Sequence, residues 1–148
     1  MDMQWLYRAT CERIVDGDSV ICSIDCGFNV ILSKRSVRLL GVDTSETRGG
    51  TDDLKALGNL AKKFVEERLP VGSTVLLRTS LDKKGKFGRI LAEIHLAKGP
   101  GEDGFQEKTL NQMLLDENLG VRYSGQSKED IINQHLINVE HHKAAGRI

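Results

Sequence analysis

Along the first 45 residues, apolar positions recur with a period of two. Trp5, Tyr7, Ile14 and Val15 supply the β-formers of a strand over Trp5 to Val15. Asp16-Gly17 marks a turn and Asp18 follows it; Val20, Cys22 and Ile24 then alternate with Ser19, Ser23 and Asp25, the pattern of a half-buried strand. Cys26-Gly27 turns the chain again, and Asn29 to Leu32 with Ser36 to Val42 read as one long or interrupted strand. These runs predict an antiparallel meander. After the loop Arg48-Gly49-Gly50 the period becomes helical. Leu54, Leu57, Ala61, Phe64 and Val65 define one face, Thr51 to Asp53 offer caps, and Pro70 and Gly72 stop the helix.

Thr74 to Thr79 and Arg89 to Leu96 predict two more strands around a basic turn from Leu81 to Gly88. In the second, Ile90, Ala92, Ile94 and Leu96 share one face, and Arg89, Leu91, Glu93 and His95 the other. Gly99, Gly101 and Gly104 make Ala97 to Lys108 an exposed loop. Thr109-Leu110-Asn111-Gln112 matches a capping box for a helix ending near Gly120, and Val121 to Tyr123 is a short extended piece. Ser127 caps a last helix over about 127–145, with Ile132, His135, Leu136 and Val139 on its inner face. Alternating βαβ units are absent, so the order predicts an α+β fold. A five-stranded β-barrel with about three helices outside it accommodates that order, and the OB-fold is the commonest such architecture.

At 148 residues the chain reads as one domain, 1–148, large enough for a single core. No apolar run approaches the roughly 20 residues of a membrane span. Met1 to Trp5 lacks the basic and apolar regions of a signal peptide, which makes the cytoplasm the expected location and a monomer the simplest state. Lys+Arg and Asp+Glu are both 21, so the formal net charge is zero, which argues mildly against a nucleic-acid binder. The basic residues nevertheless cluster, as Lys34, Arg35 and Arg38 and as Lys83, Lys84, Lys86 and Arg89. Three cysteines without CxxC spacing argue against a disulfide framework and a zinc cage, and favour small core residues. His141 and His142 are adjacent on a helix, point in different directions, and read as surface residues.

The chemistry gathers around Arg38 to Glu46, an apolar strand that runs into a turn bearing two carboxylates. Asp18, Asp43 and Glu46 are hard oxygen donors of the kind Ca²⁺ or Mg²⁺ requires. On spacing alone, ordinary turn and cap roles account for them better, because acids in turns are common. Arg38 and Arg89 lie on strands able to face one pocket, and a guanidinium binds phosphate bidentately. Each taken singly reads as a surface salt bridge. Together, carboxylates and arginines match the needs of phosphodiester cleavage: a nucleophilic water, neutralised phosphoryl charge and a stabilised leaving oxygen.

Asp16-Gly17-Asp18-Ser19, Val37 to Glu46 and Phe87-Gly88-Arg89-Ile90-Leu91-Ala92 resemble, in order, the three signature blocks of the staphylococcal nuclease (thermonuclease) family. The likeness covers residues 5 to about 124. Asp25-Cys26-Gly27-Phe28 and the 97–108 loop are most similar to its phage and bacterial small-nuclease branch. The resemblance implies an OB-fold and Ca²⁺-dependent hydrolysis of DNA and RNA, with cleavage of the 5′ P–O bond leaving 3′-phosphates. It implies one Ca²⁺ held by Asp18, Asp43 and the backbone carbonyl of Thr44, with Asp16 behind them. It further implies that Glu46 orients or deprotonates the attacking water, that Arg38 and Arg89 bind the scissile phosphate, and that Lys86, Phe87 and Tyr123 contact substrate.

The chain departs from the family pattern at four positions. Ser19 replaces Thr, Phe87 replaces a frequent Tyr, and Gly85 stands where an Asp is common. Ser45 replaces Pro, which predicts a less rigid turn under Glu46. Zero net charge predicts a shallower salt dependence than in the family's basic secreted members. The rival reading is a catalytically silent OB module that binds nucleic acid or protein. Aromatic residues make up only 5% of the chain, few for a stacking platform.

Overall fold

The computed structural model describes residues 5–81 and 89–148. Lys86 and Phe87 lie outside the described residues.

Strands β1 (Leu6–Asp16), β2 (Ser19–Asp25) and β3 (Ile31–Leu39) form the expected antiparallel meander. With β5 (Thr74–Leu81) and β6 (Ile90–Leu96) they close a barrel in the order β1-β2-β3-β6-β5. Closure is made by a parallel pairing of β3 with β6, in which Val37 faces Ile90 and Arg38 faces Leu91. Alternate residues fill the interior: Ala9 and Cys11, Val20, Cys22 and Ile24, Val37 and Leu39, Val75 and Leu77, Ala92 and Ile94. Each aliphatic side chain taken fully out of water contributes roughly 1.5–3 kcal/mol. The three cysteines are free; Cys11 and Cys22 are buried, and burial pushes the Cys22 thiol up to about 12, so it is a core residue and not a reactive one.

The long strand expected through Val42 is broken. Gly41, at φ 76°, turns the chain out of β3, and β4 (Val42–Thr44) pairs instead with β7 (Gly120–Arg122) in a separate two-stranded sheet. Helix α1 (Asp52–Arg68) starts at Thr51, whose hydroxyl accepts from the Leu54 amide, and buries Leu57, Gly58, Ala61 and Val65. Helix α2 (Leu110–Asp116) is capped by Thr109, but only half of the capping box forms: the Gln112 side chain donates to Asp116 and does not return to the cap. His95, expected on the outer face of its strand, is buried because the 97–108 loop folds over it; its Nδ1 donates to the Gln106 carbonyl at 2.8 Å.

Helix α3 (Lys128–Ala144), capped by Ser127, turns inward a face that keeps His135 and Val139 of the expected stripe but is rotated away from Leu136. His135, Asn138, Val139 and His142 are buried, whereas Leu136 is 40% exposed. The face is shifted because α3 docks through polar groups on its inner side. The Asn138 amide donates to the Gly120 carbonyl, and His142 Nε2 donates to the Asn118 carbonyl at 3.0 Å. His142 is thus a buried anchor and not a surface residue, while its neighbour His141 is exposed. Among the described residues no helix is long and apolar enough to cross a membrane.

Candidate active site

The β1–β2 hairpin turn, the β3 end and β4 meet at one end of the barrel. Asp18 is only 6% exposed and is stitched to both neighbours: its carbonyl accepts from the Leu39 amide at 2.9 Å, and its Oδ2 accepts from the Thr44 amide at 3.1 Å. Ser19, with the hydroxyl of the usual Thr, donates to Asp18 Oδ1 at 3.3 Å. Arg38 spans the two metal-ligand candidates, with Nη1 3.4 Å from Asp18 Oδ2 and Nη2 3.0 Å from Asp43 Oδ1. The Tyr123 ring centre lies 5.8 Å from the Arg38 guanidinium carbon, within cation–π range.

One guanidinium serves two carboxyls, yet their acidities move in opposite directions. Burial pushes the Asp18 carboxyl above its ordinary value, and the more distant contact with Arg38 and the Thr44 amide only partly offset this. Burial also raises Asp43, but hydrogen bonds and charge from His135 and Arg38 outweigh it and hold that carboxyl below the usual range. The closer approach of Arg38 and the second donor explain the difference.

Three tight contacts bind this end of the barrel to α1. A Cβ on Gly17 would lie 2.9 Å from Ala61 Cβ and 3.0 Å from Thr44 Cγ2, so only glycine lets the hairpin turn seat between them. A Cβ on Gly58 would lie 2.5 Å from both the Ser45 and Glu46 carbonyl oxygens, so the helix touches the backbone that carries Glu46. Ser45 is buried, and its hydroxyl donates to the Leu54 carbonyl at 2.7 Å. The looser turn expected from replacing Pro is therefore offset by a hydrogen bond into α1. Asp16 adds a further tie, its Oδ1 accepting from the Thr47 hydroxyl at 3.0 Å, which joins the hairpin to the residue after Glu46.

A cavity of about 480 Å³ opens between these elements. Asp16, Asp18, Arg38, Asp43, Thr44 and Glu46 line its barrel side. Arg89 does not line it; it is exposed one residue before β6, next to the Ile90–Val37 pair. Among the described residues, Tyr123 meets the site through its ring contact with Arg38. The opposite wall comes from α3, through Lys128, Ile131, Ile132 and His135. Ile131 and Ile132 are thus part of this wall. His135 was expected on the inner face of its helix, but its partner was not: Nε2 lies 2.8 Å from Asp43 Oδ2. A histidine in an otherwise apolar inner stripe was the available signal.

Among the described residues no three His, Cys, Asp or Glu side chains cluster in a way that could hold a metal ion. The polar groups gathered beside Arg38 are the Asp18 and Asp43 carboxylates and the Thr44 backbone, all of them oxygen donors. Thr44 Oγ1 is also buried there without a hydrogen-bond partner among the described residues. An all-oxygen set of this kind suits Ca²⁺ or Mg²⁺ with water filling the remaining positions, and does not suit zinc.

The family described as "Staphylococcal nuclease homologue" matches residues 36–146. A "Thermonuclease" of Staphylococcus intermedius is 31% identical over 103 residues, 70% of this chain and 55% of the relative. "Endonuclease YncB" of Bacillus subtilis is 29% identical over 142 residues, 94% of this chain and 59% of the relative. The "SPbeta prophage-derived endonuclease YokF" of the same organism is 28% identical over 130 residues, 87% and 39% respectively. The chain spans about half the length of the curated relatives it matches. The barrel, the carboxylates gathered on Arg38 and a match over most of the sequence agree: the chain belongs to the staphylococcal nuclease family.

Proposed function

We propose that this chain is a cation-dependent nuclease that hydrolyses phosphodiester bonds in DNA and RNA, breaking the 5′ P–O bond and leaving 3′-phosphate ends. The observation that carries the reading is the convergence of Asp18, Asp43 and Glu46 with Arg38 around one cavity at the barrel end. Support also comes from relatives whose names say thermonuclease and endonuclease.

In this reading Asp18, Asp43 and the Thr44 carbonyl would hold one Ca²⁺, which would supply charge neutralisation at the phosphoryl group and ease the ionisation of water. The chain supplies the rest. Arg38 presents a planar fork to the phosphoryl oxygens, donating hydrogen bonds that strengthen as charge develops there. Arg89, Lys86, Phe87 and Tyr123 extend the contact with substrate. Glu46 accepts a proton from the attacking water, and the departing 5′ oxygen takes its proton from solvent. The α1 contact under the Glu46 backbone limits how far Glu46 can stray. Asp16 holds the segment after Glu46 through Thr47. The proposed state is a monomeric domain acting in the cytoplasm.

The test is cleavage of plasmid and single-stranded DNA with Ca²⁺ and after chelation, with the product ends mapped. Activity that needs Ca²⁺ and gives ends that prime a polymerase only after phosphatase treatment fits the proposal. Cleavage that survives chelation overturns the cation's role, and ends that prime directly overturn the assigned bond. A chain that binds single-stranded DNA tightly and cleaves nothing under any divalent cation supports the silent module instead.

A further inference from the structure

We propose that His135 is a positioning residue for the site: its Nε2–H, delivered by α3, fixes the orientation of the Asp43 carboxylate. The proposal rests on the reading of Asp43 as a cation ligand.

The geometry assigns the proton. Asp43 Oδ2 accepts, so Nε2 at 2.8 Å is the donor. His135 is 3% exposed, and its Nδ1 is buried without a hydrogen-bond partner among the described residues. The ring therefore spends its polar contact on one carboxylate oxygen. The other oxygen, Oδ1, accepts from Arg38. Arg38 cannot be the lasting anchor, because the proposed chemistry requires its fork for the phosphate and it already divides itself between two carboxyls. His135 has no such second task and holds Asp43 while Arg38 engages substrate.

A purely structural reading, in which the contact only pins α3 to the barrel, is weaker. The helix is anchored without it. Asn138 donates to the Gly120 carbonyl, Val139 sits in the core, and His142 bonds to the Asn118 carbonyl at 3.0 Å. Lys143 pairs with Asp53 of α1 at 2.8 Å. Polar groups behind a ligating carboxylate orient it and typically change metal affinity 10–100-fold when removed.

The test compares His135→Gln, which keeps an N–H donor at similar reach, with His135→Met, of similar shape and no donor. Ca²⁺ binding is measured by calorimetry and folding by thermal unfolding. The expected result is Ca²⁺ binding at least about tenfold weaker in His135→Met and restored to near wild type in His135→Gln, with both chains folded. Equal Ca²⁺ affinity in His135→Met and wild type overturns the proposal, as does a Gln variant that binds no better than Met. Wild-type protein that binds no Ca²⁺ overturns the site reading itself and this inference with it. If His135→Met does not fold, long-range ¹H–¹⁵N spectra of the wild type decide. The Nε2–H tautomer, with its resonance moving when Ca²⁺ is added, is the predicted signature; an Nδ1–H tautomer or no response to saturating Ca²⁺ contradicts it.

Discussion

The two helices that flank the site hold it by opposite means. Helix α1 works through backbone contact. Gly58 and Gly17 let the helix, the hairpin turn and the Glu46 segment approach to distances that no side chain would permit, and Ser45 hydrogen-bonds into the helix from beneath. Helix α3 works through one side chain, with His135 reaching across to Asp43. The α1 side tolerates almost no added volume and takes one side-chain hydrogen bond, from Ser45. The α3 side depends on one hydrogen-bond donor. The base candidate, Glu46, sits on the rigid side, and a cation-ligand candidate, Asp43, is shared between Arg38 and the helix opposite.

The hardest way to break the α1 side is Gly58→Ala. The new methyl meets two backbone carbonyls at 2.5 Å, and backbone cannot rotate aside. Overpacking of this kind costs about 1–3 kcal/mol, against roughly 1 kcal/mol that alanine gains over glycine inside a helix. Because the displaced atoms belong to Ser45 and Glu46, turnover should fall further than stability alone accounts for. Thermal unfolding and kcat measured on the same preparation check this, and unchanged turnover in a destabilised protein would show that the contact does not aim Glu46.

A milder cut is Ser45→Ala, which removes one buried hydrogen bond and leaves the Leu54 carbonyl to its helical partner. A loss of about 1 kcal/mol is expected in denaturant unfolding. Ser45→Pro sharpens the same point: if the hydroxyl replaces the rigidity of the family's proline, the proline variant should retain turnover that the alanine variant loses.

The smallest expected effect on stability is the most informative in sign. A carboxyl whose folded pKa is raised costs stability at pH above that folded value, and the cost disappears as pH falls below its unfolded value. Asp18 is of this kind because it is buried. Asp18→Asn should therefore stabilise the fold at neutral pH while abolishing activity, and the gain should close on acidification toward the unfolded value near 3.8. Asp43 is opposite: its folded pKa is lowered, so it stabilises above its unfolded value and that stabilisation is lost as pH falls through the folded one. Asp43→Asn should be destabilising at neutral pH. Urea midpoints across pH, measured without divalent cation, separate the two.

The frame around this contrast was legible in the amino-acid pattern, the contacts that make the contrast were not, and the reasons are physical. Period-two and helical periodicities located the barrel strands and α1 because each buries one regular face. The site's acids and Arg38 were legible because they fall in short motifs beside turns. The break between β3 and β4 was not, since it depends on Gly41 adopting a positive φ and on a partner strand almost 80 residues away, a separation of roughly that size being invisible to local patterns. The inner face of α3 was read correctly at His135 and Val139 but rotated at Leu136 and His142, for a related reason. Hydrophobic periodicity scores Leu136 as core and His142 as surface, whereas docking through carbonyls of the 118–120 segment rewards Asn138 and His142. The Ser45 bond to α1 escaped because a hydroxyl in a turn has many possible acceptors, and only the packed helix selects one.

In the proposed mechanism Glu46 and Arg38, held at the barrel end beside Asp18 and Asp43, carry out phosphodiester cleavage. Single-turnover cleavage of an end-labelled DNA strand with saturating Ca²⁺, comparing wild type with Glu46→Gln and Arg38→Ala, tests it most directly. The account predicts a fall of about 10²-fold or more in each variant, with both remaining folded. Wild-type rates in either variant would contradict it.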